Sequence, residues 1–346
     1  MSLITGVSDF FGLDLGTTAI RLVQLRGSGP ARQLIKYAHT PLDSNIAVSD
    51  SNADQQKVVQ VLKDLLNQAK VTTHNVAVGI PSQKVFTTVV DIDRLSPSEL
   101  AKTIRFQADS LIPTPLAESK IDWAVIGDSP KDKTKVEVLL TSVSNDFVEK
   151  RLDMLESIGL NVIAFEPDNL ALARALVAPA TATPQMVVDV GFKTTDLVVT
   201  MNDAPRLTRS IPTGTEAVIR SAMQNLNIEQ KQAEQFVYKF GLSKDKLEGQ
   251  VYKAIINTVD LLVTEIEKSI KFFQTRYPEN KLERIIVTGG ASTLPEFPSY
   301  IANKFGISVE IGNAWRNTNF PADRQSELMT ISNSFGVAVG LAERQE

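Results

Sequence analysis

The chain has 346 residues, 43% hydrophobic and 22% charged, with a formal net charge of −4. That length accommodates two domains of ordinary size, and the charge balance gives no global attraction for nucleic acid or acidic lipid. The absence of cysteine excludes disulfides, thiolate metal sites and cysteine nucleophiles. His39 and His74, both in polar, turn-like surroundings, do not make a His-rich metal centre. No apolar run approaches the ~20 residues of a membrane span. Residues 1–11 lack the basic segment of a signal peptide, so a cytoplasmic address is expected.

In chain order, residues 11–40 read as a β-hairpin and a third strand at 33–37. A polar loop at 43–53 precedes an amphipathic helix over 54–70, with Val58, Val61, Leu62, Leu65, Leu66 and Ala69 on one stripe. A buried strand at 76–80 ends at Pro81. Residues 82–159 read as an inserted α+β unit: a β-rich run at 84–92, a helix opened by the capping box Ser96-Pro97-Ser98-Glu99, strands at 121–126 and 136–143, and a helix over 146–158 ended by Gly159. A strand at 162–165 leads to Glu166-Pro167, which opens a helix to Leu176. The Pro/Thr/Ala-rich stretch 178–184 is the best domain boundary.

The second half begins with another hairpin and a strand at 206–211. A helical block spans 215–277, whose last helix carries Val251, Ile255, Val259, Leu262, Ile266, Ile270 and Phe273 at spacings of four and three. A strand at 284–288 runs into Gly289-Gly290-Ala291-Ser292, and residues 328–342 read as one apolar closing helix. Both halves thus follow the same plan of hairpin, third strand, helix, strand and helix. A duplication explains it and implies a cleft between like halves.

The two hairpins carry the chemistry. Each has an apolar strand, an Asp, a Gly two residues later and a Thr pair: Asp14, Gly16, Thr17 and Thr18 in the first, Asp189, Gly191, Thr194 and Thr195 in the second. Glycine and threonine at a tip give close backbone approach with N–H and hydroxyl donors for phosphate. The aspartates suit a hydrated Mg²⁺, which keeps most of its waters. One such hairpin alone reads as ordinary turn chemistry; two in matching contexts read as jaws around a nucleoside triphosphate.

At this point the chain resembles the actin-like ATPase superfamily. Asp14-x-Gly16-Thr17-Thr18 is similar to its first phosphate motif and Asp189-x-Gly191-x-x-Thr194-Thr195-Asp196 to the second. The segment Glu166-Pro167-x-x-Leu170-Ala171-x-Ala173 is similar to the first connecting helix, Thr288-Gly289-Gly290-Ala291-Ser292 to the adenosine motif, and 336–342 to the second connecting helix. Five motifs in order over nearly the whole chain are specific where any one alone is weak. Within the superfamily the chain resembles the PilM family of type IV pilus assembly. It shares the insertion position after Pro81 with PilM and FtsA, and the run Ile104 to Pro113 followed by Asp122-Trp123 is PilM-like. It ends at Glu346 without the amphipathic tail of FtsA.

The resemblance implies an α/β actin-like fold of two ribonuclease-H-like lobes, each with an insertion. The first lobe takes 1–81 and 160–184 with insertion 82–159; the second takes 185–213 and 283–346 with insertion 214–282. It implies ATP or ADP with Mg²⁺, the metal flanked by Asp14 and Asp189 through waters. Nucleotide contacts would come from Gly16, Thr17, Thr18, Gly191, Thr194, Thr195, Gly214, Gly289, Gly290 and Ala291, and ribose contacts from Glu234. Arg21 either reaches phosphate or is a surface arginine. Glu166 either positions water beside the metal or is an exposed helix-start carboxylate. Val237 stands where the family commonly has a lysine.

No strong catalytic base is evident, so hydrolysis would be slow at best and nucleotide would act as a conformational ligand. The implied function is an ATP-binding scaffold held at the inner face of the cytoplasmic membrane only through partners. Those are the amino-terminal peptide of a PilN-like membrane protein, in a groove between the first lobe and its insertion, and the pilus motor ATPases, with self-association open. Groove candidates lie in 84–90 and 103–111. The alternatives are an FtsA-like or secretion-system filament protein and, with no matching catalytic Asp, a sugar-kinase-type phosphotransferase.

Overall fold

The computed structural model describes residues 9–27, 29 and 31–345. Residues 1–8, read above as lacking a signal-peptide pattern, lie outside the described residues. The first lobe opens with β1 (Phe11–Leu15), β2 (Ala19–Arg26) and β3 (Arg32–Pro41), then α1 (Ser44–Ala47), α2 (Asn52–Ala69) and β4 (Asn75–Ile80). The insertion contributes β5 (Val85–Asp93), α3 (Pro97–Leu111), β6 (Ser119–Asp128) and β7 (Lys135–Ser144). The chain returns through α4 (Asn145–Glu156), β8 (Asn161–Pro167) and α5 (Asp168–Leu176). The second half holds β9 (Gln185–Val190), β10 (Thr195–Met201), β11 (Ala204–Ile211), α6 (Thr215–Leu226), α7 (Gln230–Phe240) and α8 (Gln250–Arg276). It continues with β12 (Arg284–Gly289), α9 (Phe297–Phe305), β13 (Ser308–Ile311), β14 (Thr318–Asn319), α10 (Gln325–Ile331) and α11 (Gly336–Ala342).

The repeated plan is visible in the sheets. One has the order β3-β2-β1-β4-β8, the other β11-β10-β9-β12-β13, each with antiparallel hairpin pairs followed by parallel pairs; β14 extends the first sheet beyond β3. Side-chain alternation along the strands builds the layers. Phe11, Leu13, Val76 and Val78 face Val58, Leu62 and Leu65 of α2. Ala77 on the first sheet and Val187, Val198 and Ile286 on the second face inward onto α5 and α11. Met186, Val188, Leu197 and Val287 face outward onto α6, α7 and α8. Two connecting helices therefore lie between two sheets, and the loops at the strand ends converge on the cleft.

The insertion sheet has the order β5-β7-β6. Helix α3 starts at the capping box, where Ser96 N donates to Glu99 Oε2 at 3.3 Å. It packs Leu100, Ile104 and Ala108 against Val136, Val138 and Leu140 on one face of the sheet. The opposite face, with Glu137 and Leu139, turns toward the second lobe.

Two expectations are corrected at the carboxyl end. Residues after 312 do not all stay with the second lobe: β14 pairs with β3, Thr318 against Arg32, and α11 packs on β1, β2 and α5, while Asn333 between them still bonds Gly289. Glycine allows this close crossing, since a Cβ on Gly340 would lie 1.9 Å from Ala171 O and one on Gly12 2.3 Å from Ala338 O. The single helix expected over 328–342 is also two. Ser332 and Asn333 break it by bonding elsewhere: Ser332 Oγ donates to Asn313 Oδ1, and Asn333 Nδ2 to Gly289 O.

Candidate functional site

The first hairpin pairs Asp14 with Arg21 and Leu15 with Ile20, leaving Gly16, Thr17 and Thr18 as its tip. Arg21 is not a surface arginine. Its Nη1 donates to Asp14 Oδ2 at 3.2 Å, and it lies over Gly16, where a Cβ would come within 3.2 Å of the same nitrogen. The second hairpin pairs Asp189 with Asp196 and Val190 with Thr195. Its tip is pinned to the start of α6: Thr215 N donates to Gly191 O at 2.9 Å and Glu216 N to Phe192 O at 3.0 Å. A Cβ on Gly214 would lie 2.4 Å from Phe192 O, so only glycine permits that contact.

Four carboxylates face one another where the strands end. Sequence reading supplied Asp14 and Asp189 as metal-flanking groups and placed Asp196 in the second motif. Asp168, the first residue of α5, was missed; its signal is an acidic first turn directly after Pro167. Burial pushes all four carboxyls up. Asp189 is raised to about 7 by burial, then by Asp196 and Asp14, against the pull of Arg21. Asp196 is raised to about 6 by burial, opposed by hydrogen bonds from Ser210 and Thr194. Asp168 is raised by burial and then by Asp14, Asp196 and Asp189, opposed by Arg151; Asp14 is raised by burial, opposed by Arg21.

This excess of negative charge fits a divalent cation. The buried Oδ1 atoms of Asp168 and Asp196 have no protein partner, and unsatisfied buried oxygens of this kind call for an external one. Among the described residues no three acidic or histidine side chains close into a direct metal cage. Glycines open the remaining wall. Gly289 has φ +77°, and a Cβ there would lie 2.2 Å from Asp189 Oδ1. Gly290 follows at the start of the next turn, while Asn333, also missed, ties Gly289 O and Ser292 Oγ to the segment before α11. Glu234 is exposed on α7, whose Ala233 and Val237 are fully buried.

Three candidates offer no side chain to the acidic cluster. Thr195 is fully buried and its hydroxyl donates to Thr213 O at 2.7 Å, because strand alternation turns it away from the tip. Ala291 is buried, so its side chain packs in the core and leaves only backbone for a ligand. Glu166 lies on the edge strand β8 and is neither exposed nor in the acidic cluster. Arg174 Nη1 donates to its Oε2 at 3.1 Å, Arg174 Nη2 to its Oε1, and Arg344 Nη1 to its Oε2 at 3.1 Å.

Those arginine contacts line a cavity of about 600 Å³ where lobe, insertion and second sheet meet. Ala124, Ile126 and Leu139 of the insertion line it together with Leu170 and Ala173 of α5, Val177 just after that helix, and Arg32, Glu166 and Glu343. The groove segments expected from sequence lie apart from this cavity. Residues 103–111 lie on α3 at the outer face of the insertion sheet, with Phe106 84% exposed. Thr87, Thr88 and Val89 border a separate groove of about 440 Å³ against β11 and α8.

The fold has counterparts among solved structures. The chain matches a chain of a solved PilM-PilN type IV pilus biogenesis complex at 23% identity and TM-score 0.83, over 97% of this chain and 98% of the other. It is similar to the ethanolamine utilization protein EutJ from Carboxydothermus hydrogenoformans at 16% identity and TM-score 0.56, over 99% and 92% of the two chains. MreB 5 of Spiroplasma citri, solved bound to AMPPNP, matches at 13% identity and TM-score 0.55, over 97% and 95%. The fold is that of the actin-like ATPases. The model of one family, Type IV pilus assembly protein PilM, matches residues 12–346, and the chain belongs to that family.

Proposed function

We propose that this protein is a nucleotide-binding scaffold of type IV pilus assembly. In this reading it holds Mg·ATP in the acidic cleft and the amino-terminal peptide of a PilN-like membrane protein in the cavity behind it. The observation that carries the reading is the course of α5. Its first residue, Asp168, stands among the cleft carboxylates, while Ala173, Arg174 and Val177 line the cavity. Both sites thus share one short rigid element.

Bound Mg·ATP would supply a charged ligand whose phosphates and metal differ between the triphosphate and diphosphate states. The chain's own groups provide the rest. Gly16, Thr17, Gly191 and Thr194 offer tip donors to phosphate, and Arg21 adds a cation between Asp14 and Gly16. Asp14, Asp189, Asp196 and Asp168 hold the metal's water shell. The apolar walls of the cavity suit a peptide with apolar side chains, anchored at its polar end by Arg32 and Glu343. Attachment to the membrane would come through that partner, since no helix among the described residues is long and apolar enough to cross one. Contacts with the motor ATPases belong to the same proposal.

Titration of the full chain with the amino-terminal peptide of a PilN-like protein tests the peptide half. Binding that Leu170→Arg abolishes, with the melting temperature kept, is the expected outcome. No binding at high micromolar peptide would sink the pilus reading. Calorimetry with Mg·ATP tests the nucleotide half, and Asp14→Ala should remove Mg²⁺-dependent affinity without unfolding the chain.

A further inference from the structure

The groove of about 440 Å³ between the insertion and the second lobe is bounded by two strand edges. Strand β5 stands at one end of the insertion sheet and β11 at one end of the second lobe's sheet, so each pairs on one side only. Residues 87–89 of β5 and 206–209 of β11 all border the groove. Side chains alternate between the two faces of a sheet along a strand. A run of consecutive residues on one wall therefore means that the groove follows the edges themselves. There, alternate residues turn N–H and C=O away from the existing ladder. Among the described residues no backbone hydrogen bond joins β5 to β11.

The third wall is α8. Its Phe272 is 65% exposed, and Lys268 lies one turn before it. The ionisable residues bordering the groove are Arg206, Arg209, Lys268 and Arg276, all cations. Arg206 and Arg276 are neutralised by Glu137 and Asp91. Arg209 and Lys268 share a single carboxylate: Arg209 Nη2 donates to Glu265 Oε2 and Lys268 Nζ to Glu265 Oε1, both at 2.6 Å. The rim thus keeps an excess of positive charge beside open backbone edges and an uncovered aromatic ring.

We propose that this groove is a second peptide site, where an extended acidic segment of a partner protein adds as a strand along β5 and β11. The free N–H and C=O groups of the edges would carry the backbone of such a segment, as in other cases of strand addition. Its apolar side chains would meet Val89, Leu207 and Phe272, and its carboxylates Lys268 and Arg209. The site is separate from the acidic cleft, and the segment it takes differs in charge requirement from the peptide assigned to the cavity beside α5. Leu139 borders both that cavity and this groove, so the two occupants would lie on either side of one residue.

The experiment is fluorescence anisotropy on the full chain with three labelled eight-residue peptides. The first alternates valine and glutamate, the second is the same peptide N-methylated at alternate residues, made in both registers, and the third alternates valine and lysine. The valine–glutamate peptide is expected to bind, and N-methylation, which removes backbone donors, to weaken it on the order of tenfold or more. The lysine peptide should bind more weakly than the glutamate one. Lys268→Glu should weaken the glutamate peptide roughly fivefold or more, and Phe272→Ala should also weaken it. Both side chains are exposed, so both variants should melt like wild type. Leu170→Arg, in the other cavity, should leave this binding unchanged. No binding of the glutamate peptide overturns the proposal, as does equal affinity for the N-methylated peptides, which would place the contact on side chains and not on strand edges. Binding that Lys268→Glu leaves intact, or that Leu170→Arg abolishes, overturns it as well. Concentration-dependent dimers of the wild type that Phe272→Ala dissociates would assign the groove to a second copy of the chain and overturn it too.

Discussion

Arg206 on β11 donates from Nη1 to Glu137 Oε2 at 2.5 Å, and the two side chains are only 4% and 1% exposed. This pair joins the second lobe to the insertion of the first. Arg276 Nη2 and the Tyr277 hydroxyl both donate to Glu137 Oε1 at 2.7 Å, and Arg276 also reaches Asp91 Oδ1 at 2.9 Å. The bulge between Val125 and Gly127 makes room for Arg206, whose Nη2 donates to Ile126 O at 2.8 Å. Three side chains of the second lobe thus satisfy one buried carboxylate of the insertion.

Removing that carboxylate should cost more than removing any one donor. Glu137→Leu strands the buried Arg206 guanidinium, and breaking a buried pair in this way costs about 3–5 kcal/mol. Arg206→Met leaves Glu137 still held by Arg276 and Tyr277, so its cost should be smaller. Urea denaturation of both variants measures the order. Glu137→Leu unfolding at the wild-type midpoint would show that the network contributes nothing to holding the lobes together.

The acidic cleft predicts a pH dependence whose sign follows from its raised carboxyls. The Asp189 carboxyl stands at about 7 in the fold against an ordinary 3.8, so the folded chain holds its proton more tightly than the unfolded chain. Its contribution to stability is full below about pH 4. It declines as pH rises through about 7, at about 1.4 kcal/mol per pKa unit. Subtracting the stability of Asp189→Asn from that of the wild type, in metal-free buffer, isolates the effect. The difference should fall from pH 4.5 to 7.5, and added Mg²⁺ should restore more at 7.5 than at 4.5. A flat difference across that range would mean that the carboxyl is solvated and ordinary.

Much of this was legible in the sequence because it rests on short-range chemistry. Asp-x-Gly at a hairpin tip, the capping box at Ser96 and the four–three spacing along α8 are local patterns, and the structure forms the elements they imply. What stayed hidden depends on which way a residue turns at an element's end. Glu166 and Asp168 are two residues apart around Pro167, yet β8 sends the first to the cavity while the helix start sends the second to the cleft. The return of the chain's end to the first sheet was equally hidden, since it depends on Gly12 and Gly340 meeting backbone hundreds of residues away. Thr195 looked like a phosphate donor because its partner Thr194 does; strand alternation separates them.

The crossing of α5 and α11 should be intolerant of a single methyl. A Cβ on Gly340 would fall 1.9 Å from Ala171 O, backbone that cannot swing aside. Gly340→Ala must push the two connecting helices apart, and overpacking of this kind costs about 1–3 kcal/mol. Because Asp168 begins α5, the same variant should also weaken Mg·ATP. Thermal melting and calorimetry together check it, and a variant that melts and binds like wild type would place the helices farther apart than described.

The last prediction separates the two acidic residues flanking Pro167. Glu166 is fixed by Arg174 and Arg344 in the cavity wall, and Asp168 presents an unpartnered Oδ1 among the other cleft carboxylates. Glu166→Gln should lower stability by about 1–3 kcal/mol, because charge-assisted bonds are replaced by weaker ones, and should leave Mg²⁺-dependent ATP affinity within twofold. Asp168→Asn should do the reverse. It removes like-charge repulsion from the metal-free cleft, so the chain should melt higher without Mg²⁺ and gain less from adding it. Melting curves of both variants with and without Mg²⁺, alongside ATP titrations at two Mg²⁺ concentrations, read out each effect. If Glu166→Gln were the variant that lost metal dependence, Glu166 would be the metal-side residue after all, as the connecting-helix motif alone suggests.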